Sequence, residues 1–460
     1  MVESDSRDRI IADELRLLVN AGSPGDAMPS TRALVARFSA SPVTVARAMS
    51  HLVAAGVVRT EPGRGSYIAE RSPASSPDFG WQAAALRQPR VESRRTAFIA
   101  PTTREDVIPL TSGYLAAELQ PRSALQAATA RTGRRAEIWD SAPAEGIPEL
   151  RRIFAASVGA DPSDAFVVPA AQAGLATLLR TLADPGESVL IENPSYPGAL
   201  AAAQAAALVA VPVPGDELGV DPALLDECFA RTGAKVFYLQ PTFANPTGVV
   251  TSAERRRLIL AIAQSHGAFV IEDDWARHLG FAATTPRALI TGDPDGRVVY
   301  LTSLSKPSAP SMRIGVVIAR GPARDRIRNM RIADELFVAR PLQETAVELL
   351  ESPAWRRHLR TLGPVLLDRR DALRRNLASH APGLRITSVV SGGFHLWVEL
   401  PIGVISTAFA AAALAEGVLV GDGADFFANE PTGNFLRLSF TGASEPQLAE
   451  GVRRLGRLLR

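Results

Sequence analysis

Of the 50 lysine and arginine residues in the chain, only Lys235 and Lys306 are lysine. Lys306 stands in SLSKPSAPSMRIG, Ser303 to Gly315, at the end of an apolar run. A lysine buried at a sheet end loses basicity and becomes a nucleophile toward aldehydes. An isolated lysine is ordinarily a surface residue, but the company this one keeps argues otherwise. AFVIEDDWARHL ends an apolar run in acids, and an aspartate there can hold the protonated ring nitrogen of an electron-accepting cofactor. PTFANPTG sets Asn245 on a Pro/Gly-braced turn, with an amide to offer a phenolate oxygen. IENPSYPG ends a third run with Tyr196, whose face can stack on a flat ring. AAQAGLATLLR opens a helix whose first N–H groups suit a phosphate. Ser303, Ser305 and Arg313 add two hydroxyls and a guanidinium for the same phosphate. FLRLSF supplies Arg437 for a carboxylate. Each signal alone is weak. In this order, each near a strand end, they describe a site for a flat, phosphorylated, electron-accepting cofactor.

The elements that must position these residues follow from hydrophobic patterning. SVLIENP, KVFYLQP, AFVIEDD, RVVYLTS and IGVVIAR read as buried strands, with helical stretches such as TSAERRRLILAIAQSHG between them. That alternation predicts a largely parallel sheet with helices on both faces. Ligands of such sheets bind beyond the carboxyl ends of the strands, where the polar residues above fall.

The first 70 residues read differently. RDRIIADELRLLVNAG is a helix by its apolar spacing, and Ser30 can cap a helix from Thr31 to about Phe38. The turn SAS leads to a second helix over Val43 to Ala54, and VVRTEPGRGSYIAE reads as a hairpin. Two short helices on a tight turn, followed by a hairpin, predict a winged helix-turn-helix whose second helix enters the major groove. From Met28 to Ile68 the charges are Arg32, Arg37, Arg47, Arg59 and Arg64 against Glu61 alone. Residues 71–95, RSPASSPDFGWQAAALRQPRVESRR, have the Ser/Pro-rich opening of a linker. The expected organisation is therefore 1–70 as a DNA-reading domain, 71–95 as linker, and 96–460 as a large α/β domain.

The N-terminal region resembles the winged helix-turn-helix of the GntR family. The family pattern LPSxR, vSRxTVxxAL and GrGxxV stands here as MPSTR, SPVTVARAM and GRGSYI. The resemblance implies DNA contacts from Arg32, Ser41, Thr44, Arg64 and Gly65. Arg47 joins them by its place on the second helix. Pro42 stands where the family usually has arginine. It suits a helix's first turn but removes a base or phosphate contact.

Residues 96–460 resemble the fold type I aminotransferases, through NPTG, the aspartate of EDD, SxSK with arginine seven residues on, and the late arginine. The resemblance implies pyridoxal 5′-phosphate, with Lys306 as the Schiff-base lysine forming the internal aldimine. It places Asp273 on the pyridine nitrogen, Asn245 on the ring oxygen and Tyr196 stacked on the ring. Ala171, Gln172, Ser303, Ser305 and Arg313 cradle phosphate, and Arg437 takes an effector or substrate carboxylate. Three positions depart from the family. Trp275 and Ala276 stand where relatives have a tyrosine, Ala170 where a glycine is usual, and Gly198 where some amine-sensing relatives carry arginine.

A winged helix-turn-helix, a linker and an aminotransferase-like domain in that order resemble the MocR subfamily of GntR regulators. That resemblance implies a transcriptional regulator that senses the cofactor, an amine or an amino acid, with residual transaminase activity at most. It implies a head-to-tail homodimer on a double-stranded operator. Two rivals stand beside it: a working aminotransferase that carries a DNA-binding domain, and a repressor whose large domain only dimerises. Net charge is +2, so any DNA-binding surface must be local. One cysteine, Cys228, excludes an intrachain disulfide and suits a reducing compartment. The six histidines lack metal-ligand spacing, so no metal site is expected. MVESDSRDRI has no apolar signal core and no run is long enough to cross a bilayer, so a cytoplasmic, membrane-free protein is expected.

Overall fold

The computed structural model describes residues 2–61, 64–69, 79–86, 89–94, 106–282 and 285–460. The chain divides into two compact units, Met1–Gln88 and Pro89–Arg460. Part of the expected linker, residues 71–78, 87–88 and 95, lies outside the described residues, as does 96–105 at the expected start of the large domain.

In the first unit, three helices and a hairpin form where the patterning places them: α1 (Val2–Ala21), α2 (Thr31–Phe38), α3 (Pro42–Ala54), β1 (Val58–Glu61) and β2 (Gly65–Ile68). Ser30 Oγ accepts from the Ala33 N–H at 3.2 Å and starts α2. Ser41 Oγ accepts from the Thr44 N–H at 3.1 Å and starts α3, with Pro42 in the first turn where its missing N–H costs nothing. Ser39 between them adopts the left-handed conformation, φ 45°, which makes the turn tight. Leu15, Leu34, Val45, Ala48 and Leu52 close the small core under the helices. β1 and β2 pair antiparallel, Val58 with Ile68 through Glu61 with Gly65.

The second unit is built on an eight-stranded sheet. The strands, in chain order, are β3 (Ala165–Val168), β4 (Ser188–Asn193), β5 (Val209–Asp216), β6 (Gly219–Val220), β7 (Val236–Leu239), β8 (Phe269–Asp273), β9 (Val298–Ser303) and β10 (Gly315–Ile318). Across the sheet they run β3, β10, β9, β8, β7, β4, β5, β6. The central pairs β9–β8, β8–β7, β7–β4 and β4–β5 are parallel. All five strands expected from the sequence are present. β10 differs in direction: it runs antiparallel to both neighbours, with Ser303 facing Gly315. The loop 304–314 that turns the chain between them carries Lys306 and Arg313, so both emerge at one end of the sheet.

The strands are apolar on both faces because helices cover both. Phe237, Val270, Val298 and Tyr300 point into one core; Tyr238, Ile271, Val299 and Leu301 point into the other. Helices α4 (Ala170–Leu182) and α5 (Pro197–Ala205) pack on the second face through Leu175, Leu178, Ala199 and Leu200. A smaller antiparallel sheet follows, in which β11 (His395–Glu399) pairs with β12 (Phe435–Ser439). Its core joins the long helix Pro353–His380 through Leu362, Leu366 and Leu373. No described helix is long and apolar enough to cross a membrane.

Candidate cofactor site and nucleic-acid interface

A cavity of about 320 Å³ opens beyond the carboxyl ends of the central strands. Its walls include Ala170, Ala171, Gln172, Tyr196, Asn245, Asp273, Ser303, Ser305, Lys306, Arg313 and Arg437. Every cofactor and effector residue expected from the sequence lies on that lining. So do Thr111, Ser112, Gly113, Tyr114, Gln240, Trp275 and His395, which the motifs did not assign to the site.

Strand parity decides which acid of EDD faces the cavity. Glu272 turns to the other face, where it accepts from the backbone N–H of Leu289 (2.8 Å) and Ile290 (3.1 Å). Asp274 turns the same way as Glu272 and accepts from Tyr300 Oη at 2.9 Å and Arg277 Nε at 2.5 Å. Asp273 alone faces inward. Its Oδ2 accepts from Tyr238 Oη at 2.7 Å and Gln240 Nε2 at 2.8 Å. Burial pushes its carboxyl up to about 6, against the pull of those two donors.

Lys306 Nζ donates to the Gly113 carbonyl at 2.9 Å and sits 4.0 Å from the centre of the Tyr114 ring. Burial, with Arg437 adding to it, pushes this amine down to about 7, against the attraction of Asp273. A lysine so shifted is largely a neutral nucleophile at physiological pH. Arg437 reaches in from β12, where Nη1 donates to Asn245 Oδ1 at 2.9 Å and Nη2 to the Thr111 carbonyl at 2.6 Å. Burial lowers its guanidinium to about 9.

At the other end of the cavity, α4 presents its N-terminus. Ala170, the first residue of that helix, has φ 69°, a left-handed conformation that disfavours any side chain. The position where glycine was expected therefore does need glycine's freedom. Gly315 packs directly behind it: a Cβ there would lie 2.9 Å from the Ala170 carbonyl carbon. Arg313 is exposed and its Nη2 donates to the Pro169 carbonyl at 3.4 Å. Gly198 is equally constrained. A Cβ on it would lie 2.3 Å from the Tyr196 ring and 2.5 Å from Gln172 Oε1. An arginine at 198 would therefore displace the Tyr196 ring.

Of the two positions where relatives carry a tyrosine, Trp275 lines the cavity and supplies no hydroxyl. Its indole Nε1 donates to the Phe243 carbonyl at 3.1 Å, and its ring lies against His395, centroids 5.9 Å apart at 29°. Asp273 Oδ1, Ser305 Oγ and Gln172 Oε1 are among the buried polar atoms of the cavity wall that have no partner among the described residues. A protonated ring nitrogen would satisfy the first and a phosphate oxygen the second, so these residues fit a phosphorylated pyridine.

The residues missed from the sequence have a common reason. Tyr238 and Gln240 follow Asp273's parity on the neighbouring strand, which only the register reveals. His395 and Tyr114 come from segments remote in sequence, with no motif around them.

In the first unit, Arg32, Arg47 and Arg64 are exposed, on α2, α3 and the hairpin. The Arg64 side chain is 80% exposed and lies 4.0 Å from Glu61. Gly65 has φ 118° at the hairpin tip. Ser41 and Thr44 are engaged with each other, hydroxyl to hydroxyl at 2.8 Å, at the start of α3.

Sheet order, a lysine in the loop after an inward aspartate, and a helix N-terminus at one cavity define a fold type I aminotransferase-like domain behind a winged helix-turn-helix. Residues 105–455 match the family of aminotransferases of class I and II, and the chain belongs to that family. Residues 8–68 match the bacterial regulatory proteins of the gntR family. Both domains together give the architecture of MocR-type regulators, and pyridoxal 5′-phosphate is the cofactor of the aminotransferase class. The chain is 26% identical to the uncharacterized HTH-type transcriptional regulator YdfD of Bacillus subtilis, covering 95% of this chain and 92% of that one. It is 28% identical to the HTH-type transcriptional regulator TauR of Rhodobacter capsulatus, covering 95% and 93%. It is also similar to the α-aminoadipate aminotransferase LysN of Thermus thermophilus, solved with N-(5′-phosphopyridoxyl)-L-leucine. There the TM-score is 0.74 at 29% identity, covering 82% of this chain and 98% of that one.

Proposed function

We propose that this protein is a transcriptional regulator that holds pyridoxal 5′-phosphate at Lys306 and senses the cofactor, an amine or an amino acid in the same cavity. The observation that carries the reading is Lys306 itself. One of only two lysines, it stands among Asp273, Arg437 and Tyr114, in a chain that also carries a DNA-reading fold. The cofactor would supply an aldehyde that joins amines and a protonated ring that withdraws electrons. Asp273 holds the proton of the ring nitrogen through its unpartnered Oδ1. Asn245 Nδ2 donates to the ring oxygen, and Tyr196 covers the ring face. Ala171, Gln172, Ser303, Ser305 and Arg313 bind phosphate, and Arg437 orients a carboxylate.

The absence of a hydroxyl from Trp275 supports sensing over turnover, because one of the usual donors to the ring oxygen is missing. The full-length likeness to proteins named as HTH-type regulators supports it too. Arg32, Ser41, Thr44, Arg47, Arg64 and Gly65 read a double-stranded operator in the cytoplasm, and a head-to-tail homodimer presents two such readers to paired half-sites. Residues 89–94 connect the reader's linker to the sensor. Glu92 N donates to Gln204 Oε1 at 3.4 Å and Gln204 Nε2 to Glu92 Oε1 at 3.2 Å. Gln204 lies on α5, the helix capped by Tyr196. A ligand that moves Tyr196 therefore has a path to the linker, provided it binds the two states unequally.

The test is operator affinity, on DNA selected in vitro, for cofactor-free protein, loaded protein and loaded protein with a panel of amines and amino acids. A several-fold change on loading or on effector addition is expected, and its loss in Lys306→Ala. Steady amino-acid-to-keto-acid turnover with DNA affinity unchanged throughout would assign the domain to catalysis instead.

A further inference from the structure

The cofactor-holding set does not use His395. It stands on β11 opposite Ser439, two residues along from the pair of Trp397 and Arg437. Cross-strand neighbours share a sheet face, and diagonal ones lie roughly 7–8 Å apart. Imidazole and guanidinium therefore address one cavity, and both line it. His395 is 4% exposed, held flat against Trp275 and edge-on to Phe394, centroids 6.1 Å apart. Its Nε2 has no hydrogen-bond partner among the described residues, whereas the Ser112 backbone engages the ring and raises its basicity. A backbone group with that effect is a carbonyl accepting the imidazole N–H. The other nitrogen thus carries the proton and Nε2 keeps its lone pair. The charged groups facing the ring are Arg437 and Lys306, and together with burial they hold it neutral.

We infer that His395 sets ligand specificity: its Nε2 accepts a hydrogen bond from a neutral hydroxyl or amide donor on the side chain of an amino acid whose carboxylate meets Arg437. This rests on the sensing role proposed above. A second ammonium on the ligand is disfavoured, because Lys306, Arg313 and Arg437 line the cavity and Asp273 is the one acid among the described residues of its wall. A site built around a buried acceptor discriminates against an analogue that lacks the donor more strongly than an apolar pocket does, because the acceptor is then left unpaired.

The experiment uses the cofactor-loaded full chain and follows its visible absorbance during titration with matched L-amino acids. One pair is homoserine and 2-aminobutyrate; another is glutamine and norleucine. At least one donor-bearing member is expected to bind about 10-fold or more tightly than its mate. His395→Phe is expected to weaken that member alone and abolish the preference. His395→Gln, which keeps an acceptor, is expected to restore part of it. Equal weakening of both members would show a packing role only and overturn the inference. So would a preference that survives His395→Phe, or none in the wild type. If no amino acid alters the wild-type band, the sensing of amino acids fails first and this specificity with it.

Discussion

Arg437 Nη1 donates to Asn245 Oδ1 at 2.9 Å, joining the small antiparallel sheet to the turn that follows β7. Because a guanidinium only donates, this bond settles which way the Asn245 amide faces. Oδ1 is turned to Arg437 and Nδ2 is left to donate elsewhere, as a ring oxygen would require. The residue that would receive a ligand carboxylate thus also orients a residue that would hold the cofactor.

Arg437→Met separates the two roles. Ligands that carry a carboxylate are expected to lose about 30- to 1,000-fold in affinity, the effect of truncating one partner of a buried, hydrogen-bonded charge pair. An amine identical except for the missing carboxylate is expected to bind within a few-fold of wild type. Parallel absorbance titrations with the two ligands measure the split. Equal losses for both would mean that Arg437 acts only through Asn245.

The pH dependence of cofactor capture follows from Lys306. Its amine is lowered from the ordinary 10.5 to about 7, first by burial and then by Arg437. The neutral amine is the nucleophile, and it accumulates as pH rises through 7. The rate at which cofactor-free protein takes up pyridoxal 5′-phosphate is expected to climb between pH 6 and 8 and then level. An unperturbed lysine would still be gaining at pH 10. Stopped-flow absorbance across that range distinguishes the two. In Arg437→Met the midpoint is expected to move upward, since one repelling cation is gone.

Ala170 holds a left-handed conformation at φ 69°. Relief of that strain in Ala170→Gly is expected to stabilise the cofactor-free protein by about 1 kcal/mol. Denaturant unfolding would show it as a raised midpoint with an unchanged slope. Gly315→Ala should act in the opposite direction, because its Cβ would press on the Ala170 backbone, and phosphate retention should fall with it.

Gln204 tests the connection to the DNA-reading domain. Gln204→Ala removes the pair with Glu92, and Gln204 is not among the residues that line the cavity. Its visible spectrum when loaded is expected to match wild type. The ratio of operator affinities between loaded and cofactor-free protein is expected to fall toward one. A ratio equal to wild type would mean that the linker root at 89–94 transmits nothing.

Much of this site was legible in the sequence because strand ends announce themselves. An apolar run that stops at Asn245, Asp273 or Lys306 marks the place where a parallel sheet presents polar groups. The choice among Glu272, Asp273 and Asp274 is a matter of parity, and the structure supports the middle residue by turning its neighbours into the opposite core. Tyr238 and Gln240 were out of reach because their service to Asp273 depends on the β7–β8 register. His395 lay in FHLWVEL, indistinguishable from core until β12 was placed beside it. Trp275 was legible as a departure. What it does instead, donating to the Phe243 carbonyl, depends on the tertiary fold. Within the first unit, the Ser30 cap and the hairpin were visible from local chemistry alone, whereas the Ser41 cap was not anticipated. β5, with its prolines at 212 and 214, and the short β3 were not anticipated.

The most direct test is where the cofactor attaches. Because the chain holds only Lys235 and Lys306, reduction of loaded protein with borohydride followed by peptide mass analysis has few possible answers. Lys235 Nζ donates to the His266 carbonyl at 2.7 Å, at the opposite end of β7 from the cavity. The account predicts a visible band in wild type that reduction fixes to the peptide containing Lys306, and neither band nor adduct in Lys306→Ala. A wild-type protein with no band and no adduct at Lys306 would contradict it, and the large domain would then serve some other ligand or assembly alone.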